Sequence, residues 1–330
     1  MPCTRGGGAS VTAGRTDSPR LFAGVELGGT KCVCTLANGP DDVREQRVIA
    51  TTVPWETLPA IQAVLDGWWQ SHGFEALGIA SFGPIHIHPD RKGYGRVGAT
   101  NKAEWEGADI VGPLRSAFSV PIGFDTDVNG AALAEMRWGS ARGLDDFAYV
   151  TVGTGVGVGL IVHGRPSRGF SHSEIGHIRV PRLPGDDFVS ICRFHDDCVE
   201  GLASGSALKA RLKGRDIADV APDDPVWEPM VEYLAVMVHA LACTTGPMRV
   251  AMGGGVISGQ PHLLPRINAR LERSLNRYMP LPGDGEYVIA PELGALAGPL
   301  GAIAVAMDAP MRAAETPGDE ALPIETQRGI

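Results

Sequence analysis

Three things are missing from this 330-residue chain, and each removes a class of protein. No window approaches eighteen uninterrupted apolar residues, so nothing in the sequence is built to span a membrane. No long run of lysine or arginine offsets a net charge of −9, and the pI near 5.5 argues against a nucleic-acid binder. The first twenty residues hold basic groups but no apolar core, so they do not read as a secretory signal. They are rich in Gly, Ser, Thr and Arg, and a disordered tail is expected over 1–20. A second is expected over 309–330, and a cytoplasmic location for the whole.

Cysteine is also scarce, at six residues. Cys3 falls in the first tail. Cys32 and Cys34 alternate along an apolar run and Cys243 falls in an apolar helix, so these three are expected to be small buried hydrophobes. Only Cys192 and Cys198 stand among other ligand types, and in a reducing compartment that favours a metal over a disulfide. What remains is ordinary for a folded protein: 44% hydrophobic and 20% charged, and long enough for two cores.

The densest chemistry lies between 150 and 198. Val150 to Gly164 reads as two β-rich runs around Gly153-Thr154-Gly155. Glycines at such a bend let backbone N–H groups converge on one point, which suits a phosphate. Glu174-Ile175-Gly176-His177 follows, then Cys192-Arg193-Phe194-His195-Asp196-Asp197-Cys198. His177, Cys192, His195 and Cys198 together supply two nitrogens and two thiolates, a closed tetrahedral set of the structural zinc type. Having no open position, such an ion would brace the loop that carries Glu174 rather than activate water. His172 is the alternative fourth ligand.

The chain before this stretch has a similar opening. An apolar run from Leu21 leads to Glu26-Leu27-Gly28-Gly29-Thr30-Lys31 and a second run, a hairpin whose bend offers backbone donors, a hydroxyl and an ammonium to a polyphosphate. A helix is predicted over 57–72, with Leu58, Ile61, Leu65, Trp68 and Trp69 on its apolar face. A buried strand over 76–82 runs into Gly83-Pro84, at the end of a strand where ligands collect in open α/β sheets. His86 and His88 alternate as solvent-facing strand residues would. A loop carrying Thr100-Asn101-Lys102, a helix over 109–118 and a strand over 121–124 lead to Asp125-Thr126-Asp127-Val128-Asn129-Gly130. Acid and amide residues there either cap a helix or place a general base at the mouth of a cleft.

After the central stretch, helices are predicted over 200–213 and 225–245, a strand over 248–252 ending in Gly253-Gly254-Gly255, a helix over 262–278, a strand over 286–291 and a small-residue helix over 294–307. Leu21 and Phe147 thus each begin a half of like layout, without a close sequence repeat. That layout predicts a two-lobed protein with its ligand in the cleft.

Taken together, 21–307 resembles the ROK family of sugar kinases, within the actin-like ATPase (ribonuclease H-like) α/β fold. The resemblance rests on Gly24 to Lys31, Asp125 to Ala132, Thr151 to Gly164, Glu174 to His177 and Met252 to Gly255. It implies a small lobe over 21–124, a large lobe over 125–292 holding the zinc segment, and a helix over 293–308 returning to the small lobe. Three features resemble the bacterial zinc-containing fructokinase branch: Glu26 in place of Asp, Thr126 in place of Asn, and a Cys-x2-His-x2-Cys segment.

What the resemblance implies is phosphoryl transfer from ATP to a hexose, with D-fructose to fructose 6-phosphate as the expected reaction. Asp127 would be the general base and also touch the sugar. Gly28, Gly29, Thr30, Lys31, Gly153, Thr154 and Gly155 would cradle the phosphates, and Gly254 and Gly255 would line the nucleoside. Asn101, Glu174, His177, Gly83 and Pro84 would meet the sugar, and Glu26 would hold magnesium through water. The cofactors implied are ATP, Mg²⁺ and a structural Zn²⁺, and the assembly implied is a homodimer. Another hexokinase of the family, acting on glucose, mannose or an N-acetylated amino sugar, is the alternative. A sugar-sensing regulator is a further one, but such proteins carry a DNA-binding domain of about 60–80 residues ahead of the kinase-like part. Only some twenty residues precede Leu21 here.

Overall fold

A computed structural model describes residues 20–282 and 286–315. Phe22–Leu27 (β1), Lys31–Ala37 (β2) and Val43–Ala50 (β3) form an antiparallel meander. Pro54–Ser71 (α1) crosses to Leu77–Ser81 (β4), parallel to β1, and Val111–Ala117 (α2) leads to Ile122–Thr126 (β5), parallel to β4. The first sheet therefore has the order β3-β2-β1-β4-β5.

Asp127–Trp138 (α3) carries the chain to a second meander, Phe147–Val152 (β6), Val156–Val162 (β7) and Arg165–Pro166 (β8). Val199–Ala203 (α4), Gly205–Leu212 (α5) and Trp227–Thr244 (α6) precede Val250–Gly253 (β9), parallel to β6. Gly255–Gly259 (α7) and Leu263–Leu275 (α8) precede Val288–Ile289 (β10), parallel to β9. The second sheet, β8-β7-β6-β9-β10, repeats the strand order of the first. Ala297–Glu315 (α9) then returns to pack on β1, β4 and β5.

Each sheet has its own core. Ile61, Leu65 and Trp68, one helical face of α1, pack with β1 and β4 in the first. Trp227, Leu234, Val238 and Leu241 of α6 fill the second with β6 and β9. Between the sheets lie α9 on the first and α3 on the second, packed against each other. Both helices sit where the strand has no side chain. A Cβ on Gly78 of β4 would stand 2.0 Å from the Ala302 carbonyl oxygen, and one on Gly159 of β7 would stand 2.0 Å from that of Val128. Only glycine permits backbone that close.

Several elements depart from the sequence reading. β3 was not foreseen: it is an edge strand with mostly exposed residues, so burial leaves little apolar alternation in Val-Arg-Glu-Gln-Arg. The helix expected over 200–213 breaks at Ser204, whose hydroxyl accepts the N–H of Ala207 at 3.1 Å and restarts it as α5. α9 continues to Glu315, past the expected start of the second tail, because Ala309 is buried with Phe22, Ala76 and Ala306. Residues 1–19 and 316–330, with Cys3 and the rest of both expected tails, lie outside the described residues. Cys32 and Cys34 are buried as expected, but Cys243 is exposed because it lies off the buried face of α6. Trp69 is also partly exposed, resting edge-on against Phe74 and Phe118.

Candidate active site

A cleft of about 750 Å³ opens between the two lobes. Its walls bring together both glycine bends, through Gly29 and Thr30 on one side and Gly153, Thr154 and Gly155 on the other. Asp127 also lines the cleft, as do Gly83, Pro84, Asn101, Glu174 and His177, the residues expected from the sequence to meet a sugar. Glu26, Gly28, Lys31, Gly254 and Gly255 do not line it. Gly28 closes the first hairpin instead, its N–H donating to the Lys31 carbonyl at 3.1 Å. Gly254 and Gly255 lie behind the second hairpin at the β9–α7 turn.

Asp127 is the first residue of α3, and the cap is its neighbour: Thr126 Oγ1 accepts the N–H of Asn129 at 3.2 Å. Asp125, fully buried below, accepts from the Asn129 side-chain amide at 2.7 Å and from the Thr126 N–H at 2.9 Å, and pairs with Arg168. Capping and anchoring thus fall to Thr126, Asp125 and Asn129, which leaves the Asp127 carboxylate to face the cleft, held by the adjacent Val128 N–H at 2.9 Å and by its own backbone. Burial pushes its carboxyl up to about 6.

Two other carboxyls move the same way. Glu26, below the first hairpin, is pushed up to about 7 by burial and then by the charge of Asp127, with Lys31 opposing. Glu174 rises to about 7 through the cleft walls around it and the charges of Glu200 and Asp127. Several acids held near neutrality around one cleft mark a chemical site rather than a solvated face.

Both hairpins are braced from outside. The Thr51 hydroxyl donates to the Gly28 carbonyl at 2.9 Å, and its N–H to the Thr30 carbonyl at 3.0 Å. On the other side Glu200 accepts the N–H of Val156 at 3.1 Å, and the Ser206 hydroxyl donates to the Thr154 carbonyl at 2.8 Å. Glu200 and Ser206 were read only as parts of a helix. Glu200 lies in α4, before the break at Ser204, and Ser206 in the first turn of α5, after it.

His172 is not a metal ligand. Its side chain is buried, and Nε2 accepts the N–H of Ile85 at 2.9 Å, across from the other lobe. The proton then belongs on Nδ1, which faces the Ser173 carbonyl at 3.2 Å and Glu174 Oε1 at 3.3 Å. Burial lowers the pKa of the ring, so it bridges the lobes as a neutral group. Gly83 and Pro84, joined by a cis peptide bond, pass directly beneath Glu174 and His172. Ser173 Oγ is buried here without a partner. Neither His172 nor Ser173 could be placed from sequence, since the contact to Ile85 spans 87 residues.

His177, Cys192, His195 and Cys198 meet beside the cleft, their ligand atoms all within 4.8 Å of one another. Cys192 Sγ lies 3.7 Å from His177 Nδ1 and 3.6 Å from His195 Nδ1, and Cys198 Sγ lies 3.7 Å from His177 Nδ1. Zinc bonds of about 2.3 Å to sulfur and 2.0–2.1 Å to nitrogen at a tetrahedral angle put S and N about 3.6 Å apart, so the donor set fits that ion. The Phe194 and Gly201 N–H groups donate to the two sulfurs, at 3.4 Å each, as thiolates require. Glu200 Oε1 stands 3.7 Å from His177 Nε2, the ring nitrogen that does not face the sulfurs. Among the described residues His86 and His88 join no such cluster.

The chain matches the model of the ROK family over residues 22–309. It belongs to that family. A fructokinase of Pediococcus pentosaceus is 38% identical to it over 289 residues, covering 88% of this chain and 98% of the relative. A protein of Bacillus subtilis (strain 168) described as a putative fructokinase is 36% identical, covering 88% and 96%. A ROK glucokinase of Streptomyces griseus, solved in complex with glucose and AMPPNP, superposes with a TM-score of 0.71 at 25% identity, covering 87% and 99%. This ROK chain therefore has the two-lobed actin-like ATPase fold and is a hexose kinase. No helix among its described residues is long and apolar enough to cross a membrane.

Proposed function

We propose that this protein is an ATP-dependent fructokinase, converting D-fructose to fructose 6-phosphate. The observation that carries the reading is that Asp127, Thr30 and Thr154 face one cleft, so that a carboxylate meets the space between two phosphate-suited bends. The likeness to fructokinases over most of the chain selects the sugar.

In this reading the sugar hydroxyl oxygen bonds to the terminal phosphorus while the bond from that phosphorus to the bridging oxygen breaks. The nucleoside diphosphate leaves with the electron pair, and Asp127 receives the hydroxyl proton. Gly29, Thr30, Gly153, Thr154 and Gly155 hold the phosphates from the two lobes, with Gly28 and Lys31 shaping the first bend. Gly254 and Gly255 back the nucleoside side. Glu174, with Asn101, His177 and the unpartnered Ser173 hydroxyl, binds sugar hydroxyls, while Gly83 and Pro84 floor the pocket.

Magnesium, when bound, would neutralise phosphate charge; Glu26 would hold it through water. The fit is electrostatic: the charge of Asp127 raises the cost of ionising Glu26, which a divalent cation relieves. Zinc, held by His177, Cys192, His195 and Cys198, would brace the loop bearing Glu174. A homodimer is the expected assembly, read by sedimentation.

A coupled assay with ATP against fructose, glucose, mannose and N-acetylmannosamine tests the substrate. Fructose should give the highest kcat/KM by at least about tenfold. A preference for any other sugar replaces this reading with the corresponding kinase, and no sugar-dependent ATP consumption removes it.

A further inference from the structure

The cleft has a charge imbalance. Asp127, Glu174 and Glu200 line it, yet Lys102 is the one lysine or arginine among the described residues that does so. Its ammonium enters no hydrogen bond or ion pair among the described residues. A surface lysine without a partner is unremarkable, but this one is half-buried and aimed: its Cε lies 3.6 Å from where a Cβ on Gly29 would stand. The charge therefore hangs over the bend of the first glycine hairpin, at the wall of the cleft.

Its placement is built from rigid parts. The Trp105 N–H donates to the Lys102 carbonyl at 2.9 Å, and Trp105 is fully buried, edge-on to Phe82. The Trp105 indole N–H donates to the Thr52 carbonyl at 2.8 Å. The preceding residue, Thr51, is the one that grips Gly28 and Thr30. Two consecutive threonines thus tie the Lys102 loop and the phosphate hairpin to one strut, fixing the distance between them.

We infer that Lys102 is a phosphate-binding catalytic residue: its ammonium contacts the phosphoryl group in transfer and then the phosphate of the sugar product. The inference rests on the kinase reading above and extends it to a residue outside the two glycine bends. Charge on the equatorial oxygens of a phosphoryl group in flight is met best by a cation already in place, and three carboxylates in the same cleft make that cation necessary.

The test is Lys102→Met and Lys102→Arg in the full chain. Lys102→Met should lower kcat about 10²-fold or more while the sugar KM stays within about twofold. Product inhibition by the sugar phosphate should weaken with it, the thermal midpoint should hold, and Lys102→Arg should restore part of the rate because the charge is kept. A kcat within about threefold of wild type, or a loss confined to sugar KM, overturns the inference. Should the wild type prefer another hexose, that sugar is used and the test is unchanged. Should it phosphorylate no sugar, the kinase reading fails by itself and Lys102 is read by binding of inorganic tripolyphosphate. There, weakening of about tenfold in Lys102→Met supports the assignment and equal binding sinks it.

Discussion

The two sheets of this protein are the same object used twice. Both run 3-2-1-4-5, both open with a glycine-bent hairpin, and both seat a central helix on a glycine, Gly78 under α9 and Gly159 under α3. Their hairpins nonetheless face different company. The first is braced by neutral Thr51 and looked upon by Lys102; the second is braced by the acid Glu200 and backed by the Cys/His cluster. What differs comes mainly from the insertions, 82–121 in the first lobe, which holds Lys102, and 167–203 in the second, which holds Glu174, the Cys/His cluster and Glu200. A shared frame holds two bends opposite each other, and the insertions make one lobe's contribution cationic and the other's acidic.

Six substitutions would break or sharpen that comparison. Asp127→Asn, at the junction of the two halves, should lower kcat by about 10²–10⁴-fold while nucleotide binding persists by calorimetry. A variant keeping about a tenth of the rate would take Asp127 out of its role. The pH dependence follows the same group. Its carboxyl is raised in the folded state to about 6, so activity should fall as pH drops through about 6. For stability the sign is opposite: the folded form holds the proton more tightly, so ionised Asp127 costs stability increasingly from its ordinary range up to about pH 6 and constantly above. Denaturant titrations should show that slope flattened in Asp127→Asn.

Next in size are the two glycine seats. Gly78→Ala and Gly159→Ala should each cost about 1–3 kcal/mol or more in urea unfolding, since each Cβ meets a carbonyl at 2.0 Å. Similar losses would show the seats to be equivalent, and an untroubled Gly159→Ala would end the parallel. Cys192→Ser acts on the second lobe alone. It should remove one equivalent of zinc by elemental analysis and raise the sugar KM through the loosened Glu174 loop; unchanged zinc content would refute the metal assignment. Smallest of all, Cys243→Ser should stay within about 0.5 kcal/mol of wild type because that thiol is exposed. Cys32→Ser, in the buried first sheet, should cost clearly more.

Local spacing carried much of this. The glycine bends, the acid at a strand-to-helix junction and the Cys-x2-His-x2-Cys run are each short enough for neighbouring residues to dictate their chemistry. Periodicity located most helices for the same reason, and failed where burial did not write a pattern, as in the polar edge strand β3. His177 over His172 as the fourth member of the cluster also accords with where the sequence placed it.

Contacts between distant residues were not legible. Glu200 reaches the second hairpin from α4 and Ser206 reaches it from the first turn of α5, on either side of the break at Ser204. His172 bonds a backbone group of the other lobe, and Lys102 overlies a glycine seventy-three residues earlier through Trp105 and the Thr51–Thr52 strut. The sequence by itself settled which chemical groups this protein owns and the local turns that present them. Which of those groups confront one another across the cleft was decided by the packing of two sheets about α3 and α9, because the charge and hydrogen bonding of a site depend on separations in space that sequence spacing does not encode.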